Sequence, residues 1–284
     1  MLENPMKDQE SNHLPEKMLE ELNNWFSLQC DSCLVAFSGG VDSALLAFSA
    51  RKVLSHRAVA VFSVSPAVAS PEIEYAKTLA EEIGILLEVV TQDDLGTPEY
   101  VANSVSRCYF CRNNLASEMA KIGRKYGINT KVDGTHIEDM NAPRPGIKAL
   151  REAGFRAPFV ELHFGKNDVR AMARVAKLSN AERPSEACLS SRVAYGQKID
   201  LKTLEMISKA EGIVRELTGA SIVRVRTIGK KALVEVDIRH VRNAFSAFDK
   251  LRVSLLNIGY EQIEISEDGY VSGRMLELFT KAES

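Results

Sequence analysis

The sequence lacks the features that mark several large classes of protein. It contains no run of about 18 apolar residues, so we expect no membrane-spanning helix and no membrane partner. Residues 1–13 are polar and lack the apolar core of a secretory signal peptide, which predicts a cytoplasmic protein. Only 5 of the 284 residues are cysteine, too few for a disulfide scaffold but enough for one metal or redox site.

An excess of charge of one sign is also missing. Lys and Arg total 36 against 38 Asp and Glu, so the net charge of −2 provides no basic field for binding nucleic acid. Hydrophobic residues make up 45% of the chain, an ordinary value that argues against a disordered or collagen-like protein. At roughly 150 residues per domain, the length predicts about two domains.

Strands alternate with helices along the first part of the chain. Residues 33–37 form a short apolar run typical of a buried strand, residues 58–64 are a second buried-strand candidate, and residues 85–91 and 130–133 are also predicted strands. Segments with helical periodicity lie between them, and this alternation predicts parallel βαβ units. We therefore expect an α/β domain over residues 1–180, with a Rossmann-like parallel sheet and helices on both faces. Ligands of such sheets bind beyond the carboxyl ends of the strands.

The pattern changes after residue 180. Residues 181–199 lack clear periodicity, carry Cys188 and connect the first domain to a second one. The segments that follow predict helices at 200–217 and 239–257 and strands at 221–227, 231–237 and 261–266. They predict a small α+β substrate-binding domain over residues 200–284.

The strongest local motif is Ser38-Gly39-Gly40-Val41-Asp42-Ser43, between the first strand and the next helix. Adjacent glycines permit positive φ and close approach to a ligand, and the free N–H groups of a helix N-terminus favour phosphate. No lysine follows the glycines, so this is not the Walker loop. The hexapeptide resembles the SGGxDS motif of the PP-loop ATP pyrophosphatases, which split ATP between its α- and β-phosphates. The alternative is a tight turn capped by serine, which the complete motif disfavours.

Candidate ATP contacts extend from the loop to neighbouring strand ends. The full set is Ala36, Phe37, Ser38, Gly39, Gly40, Asp42, Ser43, Ser63 and Gly134. Ser63 ends the second strand and is a candidate adenine contact, although such a serine also commonly caps a strand. Gly134 follows Asp133, and Asp-Gly is also a common turn. Arg144 and Lys148 lie in a predicted loop and are candidates for facing phosphates.

Three cysteines are candidate metal ligands. Cys108 and Cys111 are three residues apart near a helix N-terminus, so both sulfurs can reach one metal. The helix N-terminus and the flanking Arg107 and Arg112 favour negative charge there. With Cys188 they suit a 4Fe-4S cluster that keeps one iron open, since such clusters normally take four thiolates. Zinc with a fourth ligand is the competing interpretation, and for the Cys108 pair alone a purely structural role is equally probable.

A second pair, Cys30 and Cys33, spans a predicted helix end and strand start. Small buried core residues are the favoured interpretation of this pair, and Cys33 is expected to point into the core.

Longer segments resemble one PP-loop family, the LarE family of ATP-dependent sulfur transferases that make the nickel-pincer nucleotide cofactor of lactate racemase. They are AFSGGVDS (36–43), DGTHIEDMNAPRPGIKALREAG (133–154), KNDVRAMA (166–173), CLSSRVAYG (188–196), VRVR (223–226) and SGRM (272–275). The resemblance implies an enzyme that acts on pyridinium-3,5-biscarboxylic acid mononucleotide. It implies that ATP, with Mg²⁺, adenylates each carboxylate, which is then converted to a thiocarboxylate.

The family has two branches with different sulfur chemistry. One sacrifices the sulfur of a single cysteine, and the other holds a 4Fe-4S cluster on three cysteines, with a hydrosulfide on the free iron. Cys108, Cys111 and Cys188 match the three-cysteine branch, so the resemblance implies that they are its catalytic residues and cluster ligands. Cys30 and Cys33 have no place in the family's pattern.

The anionic substrate predicts arginines at its site. Arg224 and Arg226 are two residues apart on a predicted strand and share a face, although an ordinary amphipathic strand would look the same. Arg192 and Arg274 lie in segments that resemble the family's, although any single arginine is usually a surface charge. Glu235 is expected to be an exposed strand residue rather than a metal ligand.

Other functions fit parts of the pattern. One alternative is a PP-loop enzyme that thiolates tRNA, against which the near-neutral charge argues. Another is a non-catalytic ATP-binding module with a structural zinc site, and a third is ammonia-fed amidation, which leaves the cysteines unexplained. We expect a small-molecule nucleotide substrate, no nucleic-acid partner and a homo-oligomer. The sulfide donor cannot be read from the sequence.

Overall fold

The structure is a computed structural model that describes residues 14–141, 144–184, 186–271 and 273–274. It contains two compact units. The first comprises Met1–Val64, Ser70–Gln92 and Cys111–Glu186, and the second comprises Ser65–Ala69, Asp93–Phe110 and Ala187–Ser284. The polar segment 1–13 and two residues of the SGRM segment lie outside the described residues. The domain limits at residues 180 and 200 stay a prediction. No helix in the described ranges is long and apolar enough to cross a membrane.

The first unit contains the predicted parallel sheet. Its strands in chain order are β1 Cys33–Phe37, β2 Ala58–Val64, β3 Leu86–Thr91, β4 Lys131–Val132 and β5 Phe155–Arg156. They pair in the order β3-β2-β1-β4-β5, and every pair in the described sheet is parallel. The order reverses at β1, so the loop after this strand lies at the switch point where α/β sheets bind ligands. This arrangement confirms the predicted α/β fold.

Helices alternate with strands along the chain in both units. They are α1 Pro15–Gln29, α2 Val41–Leu54, α3 Ser70–Ile83, α4 Pro98–Val101, α5 Arg107–Tyr126, α6 Pro145–Glu152, α7 Pro158–Glu161, α8 Lys166–Val175, α9 Leu201–Thr218, α10 Val241–Ser246 and α11 Phe248–Asn257. Proline occupies the first helical turn of α1, α4, α6 and α7. N–H groups in that turn form no hydrogen bond within the helix, so the lack of an N–H in proline costs nothing there.

Two sequence-based expectations need correction. The predicted helix at 239–257 is interrupted at Ala247, whose φ of −91° and ψ of 5° end α10 before α11 begins. Lys148 lies in α6 rather than in a loop, because Pro145 starts a helix there. Arg144 precedes that helix and forms an ion pair with Asp139 at 2.6 Å.

The second unit contains the predicted α+β elements. Its strands are β6 Val223–Ile228, β7 Lys231–Val236 and β8 Gln262–Ile265, and they pair in that order. β6 and β7 are antiparallel, whereas β7 and β8 are parallel. Gly229 adopts a φ of +59° in the β6–β7 turn, a conformation that glycine tolerates without a Cβ clash.

Each unit has its own hydrophobic core. In the first, Leu34 of β1 and Val61 of β2 pack with Met119 of α5. In the second, Val225 of β6 and Leu251 of α11 belong to one buried cluster. Burial of side chains of this size stabilises the folded state by roughly 1.5–3 kcal/mol each.

Gly212 on α9 gives a stability prediction. It lies in the middle of the helix, it is exposed, and no atom lies within 4 Å of where its Cβ would be. Alanine loses less backbone entropy on folding, so Gly212→Ala should raise the free energy of unfolding by about 1 kcal/mol. Urea denaturation measures this change. A decrease in stability would contradict the regular, uncrowded helix seen at this position.

Candidate active site

The SGGVDS loop joins β1 to α2 and has its own hydrogen bonds. Gly39 has a φ of +76°, which only glycine adopts freely. The backbone N–H of Ser38 donates to Ser43 Oγ at 3.1 Å, and Ser43 Oγ donates to the Gly40 carbonyl at 3.0 Å. Asn180, which is buried, donates from its side chain to the Gly39 carbonyl at 3.0 Å. The bonds fix the turn ahead of the α2 N-terminus, whose N–H groups suit phosphate.

Asp42 and Gly134 lie together at this loop. Lys166 of α8 places its Nζ 2.6 Å from both carboxylate oxygens of Asp42. A Cβ on Gly134 would lie 2.9 Å from the Asp42 Cβ, so the end of β4 approaches the loop closely. Ala36 and Phe37 end β1 directly before it. The predicted ATP residues on β1, on the loop and after β4 are therefore adjacent. Lys166 was missed as an individual contact, because no spacing relates it to residue 42.

Ser63 belongs to a chain of hydrogen bonds. Its Oγ donates to Gln92 Oε1 at 2.7 Å, and Gln92 Nε2 donates to the carbonyl of Cys111 at 2.8 Å. The same nitrogen lies 3.4 Å from Cys111 Sγ. Ser63 therefore bonds to a buried side chain rather than capping its strand, and its contact with adenine stays a prediction.

Cys108 and Cys188 both lie in the second unit and are exposed. Burial acts to lower the pKa of the Arg107 guanidinium, but the nearby Cys188 and Cys108 raise it above its ordinary value. The two thiols therefore share one cationic neighbour. Cys111 follows Cys108 by one turn of α5 and is half-buried. In the described part of the chain, no three His, Cys, Asp or Glu side chains are grouped as ligands of a metal ion.

Cys30 and Cys33 have core environments. Burial raises the pKa of Cys30 to about 11 and that of Cys33 further. Cys33 is fully buried in β1, as expected. Burial disfavours the thiolate, which is the form that binds metals and attacks electrophiles.

A cluster of arginines surrounds Glu235 in the second unit. Glu235 is fully buried and accepts a hydrogen bond from Arg226 Nε at 2.9 Å, and Arg274 Nε lies 2.6 Å from its other oxygen. The ring of Tyr270 lies 5.3 Å from the Arg224 guanidinium and 5.9 Å from that of Arg226. Burial raises the pKa of Glu235, while the arginines act to lower it. The expectation that Glu235 is exposed was wrong.

Arg192 has a different environment. It is buried and paired with Glu211, with Nε 2.8 Å from Glu211 Oε1. Its NH1 donates to the carbonyl of Cys188 at 2.9 Å and also contacts the carbonyl of Ala187. These contacts show Arg192 holding the backbone that carries Cys188, and its predicted contact with substrate stays a prediction.

Comparisons with known proteins match most of the chain. The Asparagine synthase family matches residues 31–103, which include the SGGVDS loop. An uncharacterised protein of Synechocystis is 35% identical over 268 residues, which are 94% of this chain and 99% of the relative. The pyridinium-3,5-bisthiocarboxylic acid mononucleotide synthase of Lactiplantibacillus plantarum is 32% identical over 250 residues, which are 88% of this chain and 90% of that enzyme. An uncharacterised protein of Methanocaldococcus jannaschii is 27% identical over 204 residues, which are 72% of this chain and 77% of that relative.

Proposed function

Because this chain belongs to the LarE family of PP-loop sulfur transferases, we propose that it makes pyridinium-3,5-bisthiocarboxylic acid mononucleotide from the corresponding dicarboxylate. The chain is an enzyme that uses ATP, as its family membership indicates. The observation that carries the proposed substrate is the 32% identity to the Lactiplantibacillus synthase across 88% of this chain.

Adenylation solves a chemical problem at the carboxylate, whose leaving group would otherwise be oxide. A carboxylate oxygen of the substrate bonds to the α-phosphorus of ATP as the bond to pyrophosphate breaks. The N–H groups of the Ser38–Ser43 loop would stabilise the departing pyrophosphate, and Lys166 adds a positive charge at 2.6 Å from Asp42. Asp42 supplies a carboxylate that could hold Mg²⁺, which would neutralise phosphate charge.

The arginine cluster fits an anionic substrate. Arg226 and Arg274 pair with the carboxylate of Glu235, Arg274 also lies 3.4 Å from Asp268, and Arg224 lowers the pKa of Glu235 electrostatically. The proposed substrate carries a phosphate and two carboxylates, and guanidinium groups bind both in bidentate geometry. Tyr270 adds an aromatic ring beside two of these arginines.

The sulfur would be carried by Cys108, Cys111 and Cys188. Two of these thiols are exposed beside the buried charge of Arg107, an environment that suits an anionic iron–sulfur cluster. Cys108, Cys111 and Cys188 would hold the cluster, which would supply sulfide as the nucleophile for the adenylated carboxylate. In that step a carbon–sulfur bond forms and AMP departs.

Anaerobically purified protein tests the proposal. We expect a brown protein that contains iron and acid-labile sulfide in equal amounts. With ATP, Mg²⁺, sulfide and pyridinium-3,5-biscarboxylic acid mononucleotide, it should release pyrophosphate and form the thiocarboxylate, which mass spectrometry detects. Omitting the nucleotide is the matched control and should suppress pyrophosphate release.

Two results would redirect the proposal. A colourless anaerobic preparation that contains zinc would exclude the cluster and leave the adenylation step standing. Pyrophosphate release with tRNA but not with the pyridinium nucleotide would favour the tRNA-thiolating alternative.

A further inference from the structure

Arg107 is a buried cation for which the described part of the chain provides no acidic partner. Only 4% of its surface is exposed, and no carboxylate within the described residues lies at ion-pair distance from it. Its NH1 donates to the side-chain oxygen of Asn103 and to the carbonyl of Ser190 at 3.0 Å. Its guanidinium also lies 5.4 Å from the ring of Tyr195. These partners are neutral, and burying a charge without a counter-charge is costly.

The groups that most favour the charged form of Arg107 are two of the cysteines predicted to bind a metal cluster. Cys188 and Cys108 favour its charged form most strongly, ahead of Tyr195 and Tyr100. Cys108 is the next residue on α5, and Cys188 lies two residues before the carbonyl that Arg107 bonds. Both cysteines are exposed whereas Arg107 is buried. A fixed positive charge therefore stands beside two accessible thiols.

The surrounding hydrogen bonds hold this arrangement in place. Asn103 is fully buried with a φ of +54°, and its side chain donates to the carbonyls of Ala194 at 2.8 Å and Gln197 at 3.0 Å. The hydroxyl of Tyr100 lies 2.5 Å from that of Ser190. These bonds tie the segment before α5 to the segment after Cys188, and the bond from Arg107 to Asn103 fixes the guanidinium within this network.

We propose that Arg107 is a positioning residue whose guanidinium holds the anionic sulfur of the transfer reaction, a hydrosulfide, beside Cys188 and Cys108. The identity of the anion rests on the proposed function, whereas the positive potential at the two thiols does not. Arg107 contributes charge and forms no covalent bond. Its charge is permanent, because guanidinium stays protonated in proteins.

The potential at each thiol can be measured without metal or substrate. The full chain is freed of iron with a chelator, reduced, and alkylated with iodoacetate or with iodoacetamide at one pH. The same thiolate attacks both reagents and displaces iodide, so the ratio of the two rates cancels the thiolate fraction and reports attraction of the negative reagent. Peptide mass spectrometry follows Cys188 and Cys108 separately.

The folded wild-type chain should favour iodoacetate at both cysteines by about fivefold over the urea-unfolded chain, the effect of one charge at about 4 Å in water. Arg107→Gln should remove this preference, and Arg107→Lys should retain most of it. Arg252→Gln is the control, since it removes the same charge from an exposed position on α11 and should leave the ratio unchanged.

Equal ratios in folded and unfolded wild-type chains would overturn the proposal, and this comparison requires no variant to fold. A preference that persists in folded Arg107→Gln, checked by circular dichroism, would also overturn it. Sulfur transfer is assayed separately with the wild type. If transfer were absent while the iodoacetate preference remained, the proposed function would fail and the charge assignment would stand.

Discussion

Cys188→Ala should abolish thiocarboxylate formation while single-turnover pyrophosphate release survives. In the proposed function the exposed Cys188 thiol is a ligand of the sulfur carrier, so its loss should lower product to below about one hundredth of the wild-type amount. The SGGVDS loop, the candidate ATP site, belongs to the other compact unit and does not include Cys188. Adenylation should therefore stay within about twofold of wild type, since no loop contact is removed. Mass spectrometry and a coupled pyrophosphate assay on one anaerobic reaction measure both.

Cys30→Ala is the matched control. Cys30 is buried, and its pKa of about 11 keeps it a thiol at neutral pH, so its removal should leave sulfur transfer within about twofold of wild type. Transfer at the wild-type rate in Cys188→Ala would show that another group carries the sulfur. Loss of pyrophosphate release in the same variant would show that the thiol is needed before the adenylate forms.

The sheet could be predicted where strands are buried on both faces. β1 and β2 match the predicted limits because Cys33–Phe37 is an uninterrupted apolar run and Ala58–Val64 is interrupted only by Ser63. The short helix α6 was not predicted, since only Pro145 marks its start and eight residues provide little periodicity. The break between α10 and α11 at Ala247 was not predicted, because no glycine or proline marks it in the sequence.

The part of the candidate site that lies in one continuous segment could be predicted from the sequence. The residues Ser38 to Ser43 are consecutive, so their shared function is visible in the sequence. Glu235 was misjudged because its ion-pair partner Arg274 lies 39 positions away in the sequence. The hydrogen bonds of Asn103 could not be predicted either, because they join it to residues about 90 positions away, in the segment after Cys188. Contacts of this kind leave no periodicity in a single sequence.

Gly134→Val should lower the rate of pyrophosphate release by about a hundredfold, because it displaces the SGGVDS loop, the candidate phosphate site. A Cβ at this position would lie 2.9 Å from the Asp42 Cβ and 3.2 Å from the backbone N of Ser43. The Ser43 nitrogen belongs to the first turn of α2 and has little freedom to move, so either the loop or the end of β4 must shift. Overpacking costs about 1–3 kcal/mol of stability, whereas a shift of about 1 Å can cost a hundredfold in rate.

Gly212→Ala is the control, since its new methyl group meets no atom within 4 Å and its helix lies outside the loop. It should retain wild-type pyrophosphate release, as measured with the pyridinium nucleotide and saturating ATP. Circular dichroism of Gly134→Val should still show a folded chain, because the crowding is confined to the β4–α2 contact. Wild-type release by a folded Gly134→Val would mean that phosphate binds elsewhere. The close approach of Gly134 to Asp42 would then serve only the packing of β4 against α2.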